Sequence, residues 1–477
     1  MSLAQRLMSI SLALIFSACT SAPSPAAPAG ETLRDFIDER ISTPPFHRAV
    51  WGIYAEEEDG TVVYEMNGDT LLIPASNRKL FTTAINEACF ALDSRIPTEL
   101  WIEGQIVGRA LLGNVVIKGY GDPSFGGRYV FGRHDEMFAP FVEALRELGI
   151  ESVTGAVIGD GSEFDRETIH GSWQYEDFGT SYQTPIDALA FNENVAGLFF
   201  RFPNCDSAVL STDPGFVDSR HSVRCGPARS LIFSSSPDNT IELRGTVRSA
   251  SRAQEVELVS VRDASLYAAQ GLHDALVLGG IDVQQSPRPG MASPSARLTA
   301  SLWSPFLGEL LATMMKVSQN LYADALFKRI GIDGDDDPAS FSEALEIERH
   351  FLTGEVGIHP DAFSFEDGSG LSVRNLVSSR AIVELLRWLD APSRRASNEL
   401  IFTIPGETGT LRRRLGHLEH AFHGKTGTLT GVNALSGIVR LPDGRRRYVS
   451  VIVNHHAAGS PRATAVVDEI IERLASP

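Results

Sequence analysis

Ser76 and Lys79 are the first pair of side chains in the sequence that could do chemistry together. They stand three residues apart in "PASNRKL", where the spacing of apolar residues predicts the start of a helix. Residues three apart lie on the same face of a helix, so the pair could form a nucleophile with its own base. Patterns of four residues also occur by chance on surface helices. The pair therefore needs support from elsewhere in the chain.

A second lysine, Lys425, lies in "HGKTGTLTGVNALSGIV" near the end of the chain. A phosphate-binding loop would need a glycine at position 419, which is a glutamate. After Lys425, β-branched and apolar residues alternate with others, which predicts a strand rather than the helix of such a loop. The pattern therefore argues against a nucleotide site and places a lysine and two threonines on a strand.

Ser318-Gln319-Asn320 forms a third short motif, between the other two. The order S-x-x-K, S-x-N and K-T-G is the signature of the penicillin-interacting serine enzymes. The chain thus resembles the penicillin-binding proteins that act as D-alanyl-D-alanine carboxypeptidases and endopeptidases, specifically their low-molecular-mass class C branch. The long separation between the first two motifs is typical of that branch. Further stretches that resemble it are "GYGDPSF" (119–125), "SWQYEDFGTSYQTPIDALAFNENV" (172–195), "DGSGLS" (367–372) and "GETGTLRRRL" (406–415).

The resemblance implies a role for each motif residue. Ser76 would attack the carbonyl of a D-Ala-D-Ala peptide and become an acyl-enzyme, and Lys79 would take its proton. A free lysine has a pKa of about 10.4, so we expect burial and the charge of Lys425 to lower that of Lys79. Ser318 would relay the proton to the leaving amine. Asn320 would hold Lys79 and the substrate amide.

The resemblance also implies a binding strand. Lys425, with the hydroxyls of Thr426 and Thr428, would receive the terminal carboxylate of the substrate. The backbone N–H groups of Ser76 and Thr428 would form the oxyanion hole. Position 427 is a glycine, and we expect that a side chain there would crowd the substrate.

Two further expectations concern positions near the motifs. Asp177 and Tyr182 lie in the segment that faces the cleft in related enzymes, where an acidic residue would suit the amino end of a diaminopimelyl stem peptide. The alternative for Asp177 is a solvated loop residue. Gln319 replaces the aspartate more often found in its motif, and we expect little effect because its side chain need not face the cleft.

The function predicted is a serine D-Ala-D-Ala carboxypeptidase/endopeptidase that acts on peptidoglycan peptides and is inhibited by β-lactams. The alternatives are a serine β-lactamase and a non-catalytic cell-wall-binding lipoprotein of the same fold. No cofactor and no metal are expected, because the acidic run with Asp333, Asp335, Asp336 and Asp337 lacks the last glutamate of a calcium loop and His455-His456 has no nearby ligand.

Composition and the N-terminus predict where the protein works. A formal net charge of -18 argues against nucleic-acid binding. The apolar run Leu7 to Phe16 is too short to span a membrane and predicts a signal peptide at 1–18, followed by a tether at 19–30. Cys19 resembles a lipoprotein cleavage site, with ordinary cleavage near it as the alternative. We expect export to the periplasm or cell envelope.

The three other cysteines lie within the expected exported part of the chain. An oxidising compartment permits a disulfide between Cys205 and Cys225, and two unpaired thiols are the alternative. Cys89 follows Phe81 and Ile85 at helical spacing, so we expect a buried and inert thiol.

The elements that must position these residues lie at both ends of the chain. A capped helix begins near Thr32, "AVWGIYAEEEDGTVVYEMNGD" predicts two strands joined at Asp59-Gly60, and "RRRYVSVIVNHH" and "SPRATAVVDEIIERLAS" predict a last strand and a last helix. Both ends would join in one antiparallel sheet. The middle has short strands broken by Gly, Asp and Pro, and helical periodicity returns in "LTASLWSPFLGELLATMMKVSQNLYADALFKRI".

The expected fold class is α/β in the α+β sense: a penicillin-binding protein/serine β-lactamase-like transpeptidase domain, in which an antiparallel sheet is flanked by helices beside an all-helical part, with inserted β-rich domains. Residues 31–98 and 289–477 would form the transpeptidase-like domain. Residues 99–190 and 258–288 would form inserted domain II, and residues 191–257 would form inserted β-rich domain III.

Overall fold

The α-helices are distributed over the whole described chain. The computed structural model describes residues 32–128, 132–332 and 337–476. Its α-helices are α1 (Leu33–Ser42), α2 (Lys79–Cys89), α3 (His134–Glu147), α4 (Ala264–Leu278), α5 (Leu307–Val317), α6 (Asn320–Lys328), α7 (Phe341–Phe351), α8 (Ser379–Leu389), α9 (Arg395–Ile401) and α10 (Ser460–Leu474).

The strands follow the same order along the chain. They are β1 (Val50–Glu57), β2 (Val62–Met66), β3 (Pro97–Ile102), β4 (Gln105–Val107), β5 (Ala110–Leu112), β6 (Val115–Gly119), β7 (Ser152–Val153), β8 (Val157–Asp160), β9 (Val195–Asn204), β10 (Ser207–Asp213), β11 (Ser219–Cys225), β12 (Ser230–Ser235), β13 (Ile241–Val247), β14 (Ser251–Ser260), β15 (Asp282–Val283), β16 (Arg288–Pro289), β17 (Arg297–Trp303), β18 (Phe363–Ser364), β19 (Leu376–Val377), β20 (Phe422–Leu429), β21 (Val432–Arg440) and β22 (Arg446–Asn454).

The two ends of the chain meet in one five-stranded antiparallel sheet with the order β2-β1-β22-β21-β20. Val50 of β1 pairs with Asn454 of β22, so the first strand lies directly beside the last one. The sheet predicted from the two ends is therefore confirmed. Strand β20, which carries the K-T-G motif, lies at the edge of the sheet.

Both faces of this sheet are buried, which follows from the alternation of side chains along each strand. In β22, Val449, Val451 and Val453 pack with α1 and α10, whereas Tyr448 and Ile452 pack on the opposite side with the helical core. Helix α1 begins at the predicted capping box, in which the Thr32 hydroxyl accepts a hydrogen bond from the backbone N–H of Asp35. The sheet thus separates a thin layer of two helices from a larger helical part.

A second hydrophobic core lies in the segment between the first two motifs. A five-stranded sheet with the order β16-β8-β6-β3-β17 packs with α3 and α4, and the three-stranded sheets β10-β9-β14 and β11-β13-β12 share the same core. The short strands predicted in the middle of the chain are present. They form separate small sheets because turns and prolines interrupt the apolar runs.

Two local predictions are wrong. The helical periodicity predicted from residue 298 onward begins only at α5, because Arg297–Trp303 is strand β17, which pairs with β3. Cys89 is exposed, because it is the last residue of α2 and its side chain lies beyond the buried face of the helix.

The domain division remains a prediction. The pairing of β17 with β3 favours a boundary after residue 303 rather than at 289. The reason is that β17 belongs to the five-stranded sheet of the segment between the first two motifs. The predicted signal peptide, the tether with Cys19, and Asp333, Asp335 and Asp336 lie outside the described residues. Within the described ranges, no helix is long and apolar enough to cross a membrane.

Cys205 and Cys225 form a disulfide, with their Cα atoms 5.0 Å apart. Cys205 follows β9, and Cys225 is the last residue of β11. The bond therefore links strands of two different three-stranded sheets, which confirms the pairing that the sequence permitted.

Replacing both bonded cysteines (Cys205→Ser and Cys225→Ser) should destabilise the β9–β14 region by about 3 kcal/mol, because the unfolded chain regains the entropy of the opened loop. The sequence separation of 20 residues sets this magnitude. Hydrogen exchange of the β9–β14 amides measures the loss, and Cys89→Ser, at an exposed free thiol, is the matched control. Unchanged protection in the double variant would contradict the expectation.

Candidate active site

The turn that carries Ser76 joins the central sheet to the helical part. Residues Ala75–Arg78 form one turn of 3-10 helix that leads directly into α2. Ala75 has a φ of 48°, in the left-handed region that residues with a side chain seldom occupy. The side chain of Asn77 donates to the Ser436 hydroxyl on β21 at 2.8 Å. The turn is thus fixed to the sheet on one side of the serine, which is itself half-buried.

Arg78 fixes the turn to the helical part. Its guanidinium binds both carboxylate oxygens of Glu348 on α7, at 2.8 and 2.7 Å, and donates to the carbonyl of Asp367 at 2.7 Å. Both side chains of the ion pair are almost fully buried. A buried pair with two parallel hydrogen bonds holds the two elements in a defined relative position, because any arrangement that separates the partners leaves an unpaired buried charge.

Lys79 lies at the bottom of the site and is fully buried. Its Nζ donates to the Ser76 hydroxyl at 3.0 Å, to the side-chain oxygen of Asn320 at 2.7 Å and to the backbone carbonyl of Ser369 at 2.6 Å. The first two contacts are those predicted for the S-x-x-K and S-x-N motifs. The third contact, from the "DGSGLS" stretch, was not predicted from the sequence.

The "DGSGLS" stretch is a turn that surrounds the carboxylate of Asp367. This carboxylate accepts hydrogen bonds from the N–H groups of Gly370 and Ser372, from the Asn375 amide and from the Trp173 indole, each at 2.8 or 2.9 Å. Gly370 has a φ of 83°, and a Cβ there would lie 2.0 Å from the carbonyl oxygen of Ala75. Only glycine therefore lets this turn pack against the turn that carries Ser76.

The S-x-N motif forms the break between α5 and α6. Ser318 follows α5 with a φ of 62°, and α6 begins at Asn320, so the two helices meet at the motif. The left-handed Ser318 caps the end of α5, and Gln319 caps the start of α6. Ser318 and Asn320 are therefore presented together, both half-buried, beside Lys79.

Gln319 makes contacts that the sequence did not indicate. Its side chain is buried, accepts a hydrogen bond from the N–H of Leu321 at 3.1 Å and donates to the carboxylate of Glu193. Glu193 is fully buried, also pairs with Arg128 at 2.8 Å, and belongs to a run of three left-handed residues, Asn192 to Asn194. The Gln319 side chain thus connects the segment between the first two motifs to the S-x-N motif, and the small effect expected of this replacement stays a prediction.

Strand β20 presents the K-T-G motif opposite the two serines. The Lys425 Nζ donates to the Ser318 hydroxyl at 2.8 Å and to the Thr426 carbonyl at 2.9 Å. The Thr426 hydroxyl donates to that of Thr410, in the "GETGTLRRRL" stretch, at 2.7 Å. Thr428 is exposed, so its hydroxyl is accessible to a ligand.

The protein's own backbone gives a steric reason for Gly427, beside the predicted one, which concerns the substrate and stays a prediction. A Cβ at this position would lie 2.5 Å from the carbonyl oxygen of Pro74 and 3.2 Å from the Cβ of Ala75. A side chain would thus collide with the turn that carries Ser76, so the steric limit comes from the protein's own backbone. The close approach brings β20 against the turn that carries Ser76.

Tyr182 lies at the site and Asp177 is linked to it. The backbone carbonyl of Tyr182 accepts a hydrogen bond from the Asn320 amide at 2.9 Å. The Tyr182 hydroxyl donates to the Asp177 carboxylate at 2.8 Å. The segment with these two residues therefore forms the wall of the site beyond Asn320.

The two buried lysines have lowered pKa values. Burial lowers the pKa of Lys79 to about 8, with Arg78 acting in the same direction and the carboxylates of Asp324 and Asp367 opposing it. Burial, together with the charge of Lys79, lowers the pKa of Lys425 well below its usual value. Lys79 can therefore lose its proton near neutral pH, as a general base must.

Several residues that support the site were not predicted from the sequence. Asp324 is fully buried, accepts a hydrogen bond from the N–H of Gly368 at 2.8 Å and interacts electrostatically with Lys79. Burial raises the pKa of its carboxyl group. Its spacing of four residues from Asn320 was the available signal, because it places both on one face of α6. Ser369 and Glu193 lie in stretches that resemble the family, but the sequence did not indicate which atoms they contact.

Within the described ranges, the side chains whose ligand atoms come close enough to share a cation are Glu407, Glu419 and His420, and all three are exposed. The Nε2 of His456 donates a hydrogen bond to the Asn433 amide oxygen at 2.8 Å. The serine, the two lysines and the strand edge instead give the geometry of an acyl-transfer site.

The fold and site define a serine acyl-transfer enzyme of the penicillin-binding protein/β-lactamase type. The family model of the D-Ala-D-Ala carboxypeptidase 3 (S13) family matches residues 33–474, so the chain belongs to this family. The protein is accordingly a serine-type D-Ala-D-Ala carboxypeptidase, a hydrolase.

The chain is similar to a D-alanyl-D-alanine carboxypeptidase from Actinomadura sp. (strain R39), with 28% identity over 468 residues, 93% of this chain and 84% of that protein. It is also similar to the crystal structure of penicillin binding protein 4 from Haemophilus influenzae, with a TM-score of 0.83 and 21% identity over 94% of this chain and 100% of that chain. The same protein in complex with a β-lactam matches with a TM-score of 0.78. These structures confirm the predicted fold class.

Gln319→Glu should lower the free energy of unfolding by about 1–3 kcal/mol, because a second carboxylate would face the buried Glu193. Urea denaturation followed by fluorescence measures the change. The exchange variant Gln319→Glu with Glu193→Gln restores one amide and one carboxylate and should recover part of the loss. A single variant as stable as the wild type, or no recovery in the exchange, would contradict the role of this contact.

Proposed function

We propose that Ser76 is the nucleophile of the D-Ala-D-Ala carboxypeptidase reaction and that Lys79 is its base. The observation that carries this proposal is the 3.0 Å hydrogen bond between the Lys79 Nζ and the Ser76 Oγ, at a lysine that is fully buried. Serine hydroxyls are weak nucleophiles until an adjacent base takes the proton.

The acylation step uses the lowered pKa of Lys79. A neutral Lys79 accepts the proton of Ser76 as its oxygen attacks the carbonyl carbon of the penultimate D-alanine. Asn320 and the Ser369 carbonyl each accept a hydrogen bond from the same nitrogen, so they keep it directed at the serine. The resulting tetrahedral intermediate carries a negative oxygen. The N–H groups of Ser76 and Thr428 are the proposed donors to it, each worth about 2.7–4 kcal/mol.

Ser318 and Lys425 act on the leaving side. The bond to the leaving D-alanine nitrogen breaks, and this nitrogen receives, through the Ser318 hydroxyl, the proton that Lys79 took from Ser76. Ser318 is hydrogen-bonded to Lys425 at 2.8 Å. The carboxylate of the leaving residue lies against Lys425, Thr426 and Thr428. Its negative charge favours the ammonium form of Lys425, whose pKa is lowered in the free protein. Water then hydrolyses the acyl-enzyme.

The acyl side of the substrate extends past Asn320. Its amide would pair with Asn320, and its next side chain would meet Tyr182 and Asp177. Asp177 uses one carboxylate oxygen for the Tyr182 hydroxyl and can offer the other to an amino group. This arrangement suits the amino end of a diaminopimelyl side chain.

Both removal of a terminal D-alanine and cleavage of a peptide cross-link present an acyl D-alanine to the same serine, so we propose carboxypeptidase and endopeptidase activity. β-Lactams would acylate Ser76 as carbonyl analogues, which is supported by the β-lactam complex of the Haemophilus protein. A serine β-lactamase and a non-catalytic lipoprotein of the same fold are the alternatives.

Peptidoglycan substrates place the protein in the cell envelope. The predicted signal peptide at 1–18 agrees with export. We further propose that Cys19 carries a lipid anchor and that residues 19–30 are a tether to the membrane, with the mature enzyme acting in the periplasm.

Incubation with benzylpenicillin should add one penicilloyl group to the wild type and none to Ser76→Ala. Intact mass, recorded after minutes and after hours, measures the adduct. A persistent adduct supports the peptidase, whereas a transient adduct with rapid loss of the drug would indicate a β-lactamase. No adduct at any time would indicate the non-catalytic alternative.

The rate of acylation by benzylpenicillin should rise with pH and level off above about 8, because only neutral Lys79 accepts a proton. Below this value the neutral fraction falls about tenfold for each pH unit. Stopped-flow measurements of the acylation rate from about pH 6 to about pH 10 test this pH dependence. Lys79→Arg keeps the positive charge but cannot lose its proton, so it should be inactive throughout. A flat wild-type profile would rule out Lys79 as the base.

A further inference from the structure

Two aromatic rings lie on the surface beside the proposed acyl side of the site. Tyr175 is 89% exposed, more than any other large apolar side chain in the described ranges. Its ring is nearly parallel to that of Phe178, with an angle of 8° and centroids 6.3 Å apart. Such exposed aromatic surface costs solvation free energy unless a ligand covers it. We refer to Tyr175 and Phe178 as the aromatic platform.

A cation supports the platform. The guanidinium of Arg262 lies over the Phe178 ring, 4.7 Å from its centroid. Arg262 is itself exposed, so it can still donate hydrogen bonds toward the solvent side. An exposed aromatic ring near an exposed guanidinium is a combination that can recognise a ring with an apolar face and polar substituents.

The platform is connected to the catalytic centre through a short series of contacts. Tyr175–Asp177 is one turn of 3-10 helix, and the Asp177 carboxylate accepts from the Tyr182 hydroxyl. The Tyr182 carbonyl in turn accepts from Asn320, which is hydrogen-bonded to Lys79. The platform and the wall of the site therefore belong to the same segment of chain.

The proposed orientation of the substrate indicates which part of it lies toward the aromatic platform. The leaving carboxylate lies at Lys425 and Thr428, and the acyl side passes Asn320 toward Tyr182. A stem peptide continues in this direction for about four residues, and each extended residue spans at most about 3.3–3.6 Å. The end of the peptide thus reaches about 13–14 Å beyond the nucleophile. In peptidoglycan, that end is attached to an amino sugar of the glycan strand.

We propose that the Tyr175–Phe178 platform binds a sugar ring of the glycan strand to which the stem peptide is attached. This inference rests on the proposed function, because the substrate direction comes from it. The apolar face of a pyranose covers an aromatic ring, and its hydroxyl and acetamide groups can accept hydrogen bonds from Arg262. The enzyme would then recognise peptide and glycan together, on either side of Asp177 and Tyr182.

The test compares one stem pentapeptide in two forms, free and attached to its disaccharide. The wild type should have a higher kcat/KM for the glycosylated form, mainly through a lower KM. Tyr175→Ala should lower kcat/KM for that form by about threefold to tenfold, which corresponds to the loss of one stacking contact. Its activity on the free peptide and its acylation by benzylpenicillin should not change.

Two control variants sharpen the comparison. Tyr175→Phe keeps the ring and should keep the preference for the glycosylated form. Trp303→Ala removes another exposed aromatic ring, 58% exposed on β17, and should have no effect on either form. Calorimetric titration of Ser76→Ala protein with both peptides measures the same preference as a binding constant, without turnover.

Three results would overturn the platform: equal kcat/KM of the wild type for both forms, an equal loss on both forms in Tyr175→Ala, or the same loss in Trp303→Ala. The second result would indicate that Tyr175 contacts the peptide. A wild type that neither hydrolyses the free peptide nor reacts with benzylpenicillin would refute the proposed function itself. If the Ser76→Ala protein then also bound both peptides equally tightly in the titration, this binding result would refute the aromatic platform independently.

Discussion

The burial of Lys79 is the constraint on which the rest of the site depends. An amine without access to water loses its hydration, so it needs protein oxygens around it. Three separate parts of the chain supply them: the Ser76 hydroxyl, the Asn320 amide and the Ser369 carbonyl. The same burial lowers the pKa of the amine. One feature thus both determines which segments must converge and makes the lysine suitable as a base.

Buried polar contacts maintain the convergence and hold two backbone positions in a strained conformation. The Arg78–Glu348 pair fixes the turn that carries Ser76 to α7, and Asp367 fixes the "DGSGLS" turn through four hydrogen bonds. Ala75, next to Ser76, and Ser318, within the second motif, both have positive φ values. Such backbone costs about 1–3 kcal/mol per residue and persists only where the surroundings define it. The strain lies where the reacting atoms must be placed.

The segment between the first two motifs contributes directly to the site. It supplies the Tyr182 carbonyl that orients Asn320 and the Glu193 carboxylate that holds Gln319. A neutral amide at position 319 matches a buried carboxylate, because it can donate a hydrogen bond to it. An aspartate in the same place would put two carboxylates together. The departure from the more common motif residue is therefore compensated within this chain.

The sequence by itself determined the three motifs, the capped first helix and the shared sheet of the two chain ends, because these depend on short-range periodicity and residue chemistry. Tertiary structure alone decided that Glu193 meets Gln319, that Arg297–Trp303 pairs with β3 and that Gly427 avoids the carbonyl of Pro74. Each of these contacts joins residues far apart in sequence. Local sequence patterns indicate which face of a helix or strand is apolar. Which other element packs against that face depends on the packing of the whole chain.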